Sequence, residues 1–172
     1  MPIELAILDI DGILTDGKKY YNSSGMPFAK TFCDKDFTAI KRLKAAGVKV
    51  CFLSGDNRIN ENMAANRNID FYYARGVDKV EFLDRFSKSY DTQPEHMLYI
   101  GDDLFDLNIM KKVGFAYCPQ DAPATVKNVS EVISANGGEN LICKLVDILL
   151  ERGYIKDTSL EEIEKLDKKE KF

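Results

Sequence analysis

The chain has 172 residues, 45% of them hydrophobic and 30% charged, with a formal net charge of -4, which describes one soluble globular domain able to bury its own core. The acidic balance excludes a nucleic-acid backbone as partner, since phosphate contacts require a basic face. Four cysteines without CxxC spacing (Cys33, Cys51, Cys118, Cys143) exclude a zinc ribbon or disulfide framework, and a single histidine, His96, excludes histidine triads and multi-histidine metal sites.

The start MPIELAILDID lacks the basic segment and long apolar run of a signal peptide, and no stretch approaches the roughly 20 residues of a membrane span, so a cytoplasmic protein without membrane partners is expected. The apolar run from Ile3 predicts a buried parallel strand that ends in Asp9-Ile10-Asp11-Gly12. Two carboxylates flanking one residue thus fall at the carboxyl end of a strand, where open α/β sheets bind ligands. Desolvating such a pair calls for a cation, and oxygen donors with room for water suit Mg²⁺. A carboxylate held against Mg²⁺ and a phosphate can attack phosphorus, giving an aspartyl-phosphate. A turn or helix cap built from Asp and Gly gives the same local pattern without chemistry.

Residues 18–32, KKYYNSSGMPFAKTF, read as a hairpin around Asn22-Ser23-Ser24-Gly25, inserted directly behind the acidic strand. Its aromatics Tyr20, Tyr21 and Phe28 suit either an interface with another subunit or packing on their own domain. A helix follows Cys33, with Asp34 or Asp36 as cap, Phe37, Ile40 and Leu43 on its apolar side and Gly47 as its stop. Val48 to Leu53 is the next strand, and its turn Ser54-Gly55-Asp56-Asn57 can present a hydroxyl and backbone N–H groups to a phosphate.

A helix over 60–67 and a strand over 71–74 lead to Lys79, placed in the first turn of a helix carrying Val80, Leu83 and Phe86. The helix dipole disfavours a cation there, which an anion in front of it would offset; a solvated lysine is the alternative. Met97 to Ile100 predicts a strand ending in Gly101-Asp102-Asp103-Leu104-Phe105-Asp106, a second acidic cluster, so that two acidic strand ends share one cation; His96, just before it, reads as a surface residue. A strand over 115–118, a minor strand at Val132-Ile133, the loop Asn136-Gly137-Gly138 and an amphipathic helix from Leu141 to Leu149, closed by Gly153, complete a single domain over 1–155. Residues 156–172 form a charged tail, either a solvated helix striped by Leu160, Ile163 and Leu166 or a frayed terminus.

Alternating strands and helices predict a doubly wound α/β fold with a parallel sheet. The ordered set Asp9-x-Asp11, Ser54, Lys79 and Gly101-Asp102-Asp103-x-x-Asp106 resembles the haloacid-dehalogenase superfamily of phosphatases over about residues 3–152. That resemblance implies Asp9 as nucleophile and Asp11 as general acid/base. It also implies Ser54, Gly55 and Lys79 as phosphate-binding residues, and Mg²⁺ held by Asp9, Asp11 and Asp102, with Asp103 and Asp106 as weaker metal contacts or supports.

The sequence LTDG followed by a hairpin in place of a large cap, with DDLFDLNIMKKVG, looks like the small capless branch, which includes phosphatases of 3-deoxy-octulosonate 8-phosphate and of nonulosonate 9-phosphates. The branch implies a phosphorylated acidic keto-sugar as substrate and a homotetramer joined through the hairpins, a neighbouring subunit closing each site. This chain departs from octulosonate enzymes in three places. It reads Lys35-Asp36-Phe37 where they read Arg-Asp-Gly; Cys143 stands where an arginine is expected, with Lys144 the nearest cation; and Ser54-Gly55-Asp56-Asn57 lacks paired arginines, closer to the nonulosonate type. Lys35, Asp56 and Lys144 are therefore candidate substrate contacts. The competing readings are a phosphatase for another small phosphomonoester, a phosphoaccepting switch and a non-catalytic structural subunit.

Overall fold

The computed structural model describes residues 2–171. Six parallel strands form one sheet in the order β5-β4-β1-β6-β7-β8: β1 (Leu5–Leu8), β4 (Lys49–Ser54), β5 (Asp70–Tyr73), β6 (Met97–Ile100), β7 (Phe115–Pro119) and β8 (Glu131–Ile133). Helices α1 (Asp34–Ala45), α2 (Ile59–Asn66), α3 (Leu83–Tyr90), α4 (Leu107–Met110), α5 (Ala124–Lys127) and α6 (Leu141–Glu151) cross between or follow them. The expected doubly wound α/β architecture is the observed one.

The apolar strands sort their side chains by parity. Ala6 and Leu8, Val50 and Phe52, Leu98 and Ile100 face one layer with α1 and α6, while Leu5 and Ile7, Cys51 and Leu53, Met97 and Tyr99 face the other with α3 and α4. Burial on both faces explains why these strands read as continuous apolar runs rather than alternating ones. Strands β4 and β5 are offset by one residue from their sequence-predicted spans, toward the C-terminus and the N-terminus respectively.

From β1 the chain runs outward through β4 and β5, then returns to the other side of β1 as β6, β7 and β8. The reversal opens a crevice at the carboxyl end of β1, between β4 and β6, where such sheets take ligands. Register brings the acidic turns together there: Leu8 pairs with both Phe52 and Ile100, and Asp9 N donates to Ile100 O at 3.0 Å.

The hairpin consists of β2 (Tyr20–Tyr21) and β3 (Pro27–Ala29), antiparallel to each other. Its turn is tied by the Asn22 side chain, which accepts from Ser24 N, Ser24 Oγ and Met26 N. Tyr20, Tyr21 and Phe28 are 54%, 60% and 62% exposed, so they do not pack on their own domain.

Capping differs from expectation. Cys33, not an aspartate, is the N-cap of α1, and it gives no side-chain cap bond. Asp36 reaches across to α6 instead, its Oδ1 accepting from Ile142 N at 2.9 Å and Cys143 N at 3.1 Å. Asn140 supplies no side-chain cap of its own, so Asp36 meets two of the amides a helix start leaves without partners.

The tail is not frayed: α7 (Leu160–Asp167) starts at a capping box of Ser159 and Glu162. It docks on α1 and α2 through Lys41 to Asp167 (2.6 Å) and Glu170 (3.2 Å), and Arg67 to Glu170 (2.9 Å). Among the described residues no helix is long and apolar enough to cross a membrane, and His96 is half-buried, its Nδ1 3.1 Å from Pro2 O.

Candidate active site

The first residue beyond β1, Asp9, is 7% exposed, and its Oδ1 accepts from Ile10 N at 2.7 Å. Lys79 opens a single 3₁₀ turn (Lys79–Phe82) rather than an α-helix, with Asp78 accepting from Val80 N at its start. Its buried ammonium spends its three N–H donors on Asp9 Oδ2 (2.7 Å), Asp106 Oδ1 (2.7 Å) and Tyr99 OH (3.0 Å). The anion in front of this lysine is therefore a pair of aspartates. Burial opposes its charge, but Asp9 and Asp106 together hold the Lys79 pKa above its ordinary value.

Asp106 is fully buried and saturated. Oδ1 accepts from Lys79 and from Tyr99 OH (2.6 Å), and Oδ2 accepts from Asp102 N and Asp103 N, both at 2.9 Å. It pins the turn that carries Asp102. Gly101 leaves the room, since a Cβ there would lie 2.4 Å from the Asp106 carboxyl carbon.

Asp102 is the opposite case: among the described residues its carboxylate accepts no hydrogen bond and forms no ion pair. Burial, reinforced by Asp9 and Asp106, pushes its pKa up to about 8; burial likewise pushes Asp9 up to about 7 against the pull of Lys79. Oxygens from Asp9, Asp102 and Asp106 lie within 4.8 Å of one another. A hard divalent cation fits this oxygen-only set, drawing on Asp9 and Asp102, because Asp106 has already committed both oxygens. Gly12 closes the wall: with φ +80, a Cβ there would stand 1.9 Å from Asp102 Oδ2.

The carboxylate of Asp11 is not part of that trio. It faces the buried ammonium of Lys30, which donates to Oδ2 at 3.0 Å and touches Oδ1 at 2.7 Å without hydrogen-bond direction, so that among the described residues Oδ1 has no hydrogen-bond partner. Asn60, on the first turn of α2, donates Nδ2 to Asp11 Oδ2 (3.0 Å) and to Ser54 Oγ (3.1 Å) and accepts from Lys30 at its Oδ1 (3.0 Å). Ser54 Oγ also accepts from Asp56 N at 3.2 Å. Asp56 is gripped by Lys30 (2.6 Å) and Lys19 (2.9 Å), which against the effect of burial hold its pKa down to about 2.

These residues line one cleft of about 980 Å³: Asp9, Asp11, Ser54, Gly55, Asp56, Lys79, Asp102, Asp103 and Asp106, with Lys19 and Arg75, under a rim that includes Leu104 and Phe105. Neither Lys35 nor Lys144 lines it. Lys35 is exposed on α1, and the Lys144 ammonium is held by the Ser134 carbonyl. Phe37 is core, 5.8 Å from the Phe32 ring with the Arg67 guanidinium 4.0 Å above it, and Cys143 Sγ donates to Lys35 O. Gly137 and Gly138 back the nucleophile loop: a Cβ on Gly137 would lie 1.9 Å from Gly12 O, and Gly138 N donates to Ile13 O at 2.8 Å.

Residues 57–145 match the model of a haloacid dehalogenase-like hydrolase family. Over 151 residues the chain is 33% identical to the 3-deoxy-D-manno-octulosonate 8-phosphate phosphatase of Haemophilus influenzae, covering 87% of this chain and 83% of that one. The chain belongs to the haloacid dehalogenase-like hydrolases. Within this family it falls in the capless branch typified by those phosphatases, and it is a phosphomonoesterase.

Two solved structures of the branch superpose closely. One is the cobalt-bound Haemophilus influenzae enzyme, with a TM-score of 0.81 at 33% identity, covering 87% of this chain and 88% of that one. The other is the Moraxella catarrhalis 3-deoxy-D-manno-octulosonate 8-phosphate phosphatase in complex with magnesium, phosphate and KDO, with a TM-score of 0.80 at 27% identity, covering 88% of this chain and 89% of that one. Divalent metal thus accompanies the haloacid dehalogenase-like fold in both relatives, and this chain carries the acidic cluster to receive one.

Sequence reasoning misses Lys30, Asn60 and Tyr99. Lys30 is one of several lysines in a hairpin stem, Asn60 looks like an ordinary helix-start residue, and Tyr99 is absorbed by an apolar strand. The one local signal is a tyrosine, with a hydroxyl that needs a partner, in a strand otherwise made of Met, Leu and Ile.

Proposed function

We propose that the chain is a Mg²⁺-dependent phosphatase for a phosphorylated acidic keto-sugar of the octulosonate 8-phosphate or nonulosonate 9-phosphate type, working through an aspartyl-phosphate on Asp9. The observation that carries this reading is the buried Asp9 carboxylate set between the Lys79 ammonium and the unpartnered Asp102 carboxylate, with Asp11 across the same cleft. The catalytic unit spans residues 1–155, with 156–172 as an accessory tail.

Asp9 attacks phosphorus while the bond to the sugar oxygen breaks, and Asp11 gives that oxygen its proton. A water then loses its proton to Asp11 and attacks the phosphoryl group, releasing inorganic phosphate and restoring Asp9. Ser54 and the Gly55 backbone bind the phosphoryl oxygens. All three Lys79 donors are engaged, so the one given to Asp9 passes to a phosphoryl oxygen as Asp9 becomes esterified. Mg²⁺, held by Asp9 and Asp102 with Asp103 nearby, supplies neutralisation of the phosphoryl charge when bound.

Seven aspartates and three cations line the cleft of one chain, which favours phosphate with metal but not a free sugar carboxylate. The missing positive charge would come from a second copy, consistent with a homotetramer whose contacts are the exposed hairpin aromatics. Lys35 and Lys144 would then act, if on any site, on a neighbour's.

Phosphate release by wild type and Asp9→Asn, with Mg²⁺ and with chelator, on octulosonate 8-phosphate, nonulosonate 9-phosphates and hexose phosphates tests the reading. One acidic sugar phosphate cleaved far faster, with both controls inactive, is the expected result. Equal rates on hexose phosphates would replace the substrate class, and turnover surviving Asp9→Asn would overturn the mechanism.

A further inference from the structure

Lys30 sits directly after β3, and its side chain is 1% exposed, a costly position for an ammonium unless opposite charge compensates it. Its contacts are Asp11 Oδ1 at 2.7 Å and Oδ2 at 3.0 Å, Asp56 Oδ2 at 2.6 Å and Asn60 Oδ1 at 3.0 Å. Two carboxylates and one amide therefore meet at a single buried cation, drawn from the β1 turn, the β4 turn, α2 and the hairpin.

We propose that Lys30 is the positioning residue for the general acid: it fixes the Asp11 carboxylate in the orientation from which its proton reaches the leaving group. The proposal rests on the reading of Asp11 as the acid. Two features support this role. Asp11 Oδ2 is occupied twice, by Lys30 and by Asn60, which fixes the orientation of the carboxyl plane. Asn60 also donates to Ser54 Oγ, so one network sets the acid and the phosphate-binding hydroxyl relative to each other. Because Lys19 and Lys30 enter from the two stems of the hairpin and close on Asp56, this placement is also tied to the hairpin.

The experiment is kcat/KM for a series of substituted phenyl phosphates, from 4-nitrophenyl to phenyl to 4-methoxyphenyl, with wild type, Lys30→Met, Lys30→Gln, Asp11→Asn and Lys30→Met/Asp11→Asn. This ratio reports transfer up to the first irreversible step, in which the leaving oxygen needs its proton. A poor leaving group depends on the acid and 4-nitrophenolate barely does, so loss of a positioned acid steepens the dependence on leaving group. General-acid contributions are typically about 10²- to 10⁴-fold. Lys30→Met is expected to lose about 10²-fold on phenyl phosphate and under about 10-fold on 4-nitrophenyl phosphate, and to add nothing to Asp11→Asn.

A uniform loss across the series in Lys30→Met, while Asp11→Asn steepens it, would reduce Lys30 to a structural role and overturn the proposal. A series left flat by Asp11→Asn would overturn the reading of Asp11 itself, and the two failures are thus distinguishable. Lys30→Gln retains a donor to Asp11 without the charge and fills nearly the same space, so it carries the test should Lys30→Met fail to fold.

Discussion

Lys79 Nζ lies 2.7 Å from Asp9 Oδ2, with neither side chain more than 10% exposed. Removing one member of such a pair strands the other charge in a low-dielectric site, which typically costs about 3–5 kcal/mol unless the survivor changes protonation. Asp9 has that escape, since burial already raises its pKa to about 7 and Lys79 is the main group opposing the shift, ahead of the Ile10 N–H. Lys79→Met should therefore leave a protonated, non-nucleophilic Asp9 at neutral pH. We expect kcat/KM to fall by more than about 10³-fold, comparable to losing a main electrostatic group of the transition state. Steady-state kinetics between pH 6 and 9 would check this, and a partial recovery of rate toward pH 9 is the signature.

The raised Asp9 and Asp102 values have a consequence for stability. Both groups bind their protons more tightly folded than unfolded, where the ordinary value is 3.8. Their stabilising contribution is complete below that value and is lost as pH rises through about 7 for Asp9 and about 8 for Asp102. A divalent metal competes with those protons, so it should stabilise the folded chain more at pH 8 than at pH 6. At 100-fold above its Kd the metal contributes about 2.7 kcal/mol. For a chain of this size that corresponds to a rise in Tm of about 5–10 °C. Thermal unfolding in Mg²⁺ and in chelator at both pH values would measure it; an equal or larger shift at pH 6 contradicts the assignment of these two carboxylates.

Tyr99 OH donates to Asp106 at 2.6 Å and accepts from Lys79 at 3.0 Å, inside a residue with no exposure. Tyr99→Phe keeps the ring in the α3/α4 layer and deletes only the hydroxyl. A hydrogen bond to a charged group is worth about 1.5–3 kcal/mol, so that much loss of stability is expected by urea unfolding. Asp106 keeps its two amide donors from Asp102 and Asp103, so the turn should hold and turnover should fall by only about 10-fold or less, a loss of roughly 1.4 kcal/mol in the barrier.

The sheet and the placement of the acidic turns were legible because they are local. Strands buried on both faces read as unbroken apolar runs, and each polar turn follows its strand directly, so Asp9, Ser54 and Asp102 could be assigned to one edge without knowing strand order. What escaped depends on contacts across the sequence. Lys30 meets partners 19, 26 and 30 residues away, and nothing in Phe-Ala-Lys-Thr-Phe separates a buried lysine from a solvated one. Asp106 reads as a third carboxylate toward the metal, yet four donors converge on it from the turn, β6 and Lys79. Asp36 reads as a cap for its own helix because the amides it serves, on α6, lie 106 and 107 residues downstream. The docking of α7 rests on ion pairs with Lys41 and Arg67 rather than on its thin apolar stripe, so periodicity carries little of it.

Gly12 offers the cleanest separation of metal site from fold. Its φ of +80 is a conformation that a side chain disfavours, which costs roughly 1–3 kcal/mol when forced. More specifically, the methyl group of Gly12→Ala would lie 1.9 Å from Asp102 Oδ2, and that oxygen, held by no hydrogen bond among the described residues, is what must give way. The neighbouring turn is fixed by Asp106, so the displacement should fall on the Asp102 carboxylate and spare the Asp9 to Lys79 contact. Gly12→Ala is thus expected to fold with reduced stability while losing most of its Mg²⁺-dependent rise in Tm, and to need at least about 10-fold more Mg²⁺ for half-maximal phosphate release, the scale of loss seen when support for metal ligands is removed. A variant with an unchanged Mg²⁺ requirement would mean that Asp102 does not hold the ion from its present position.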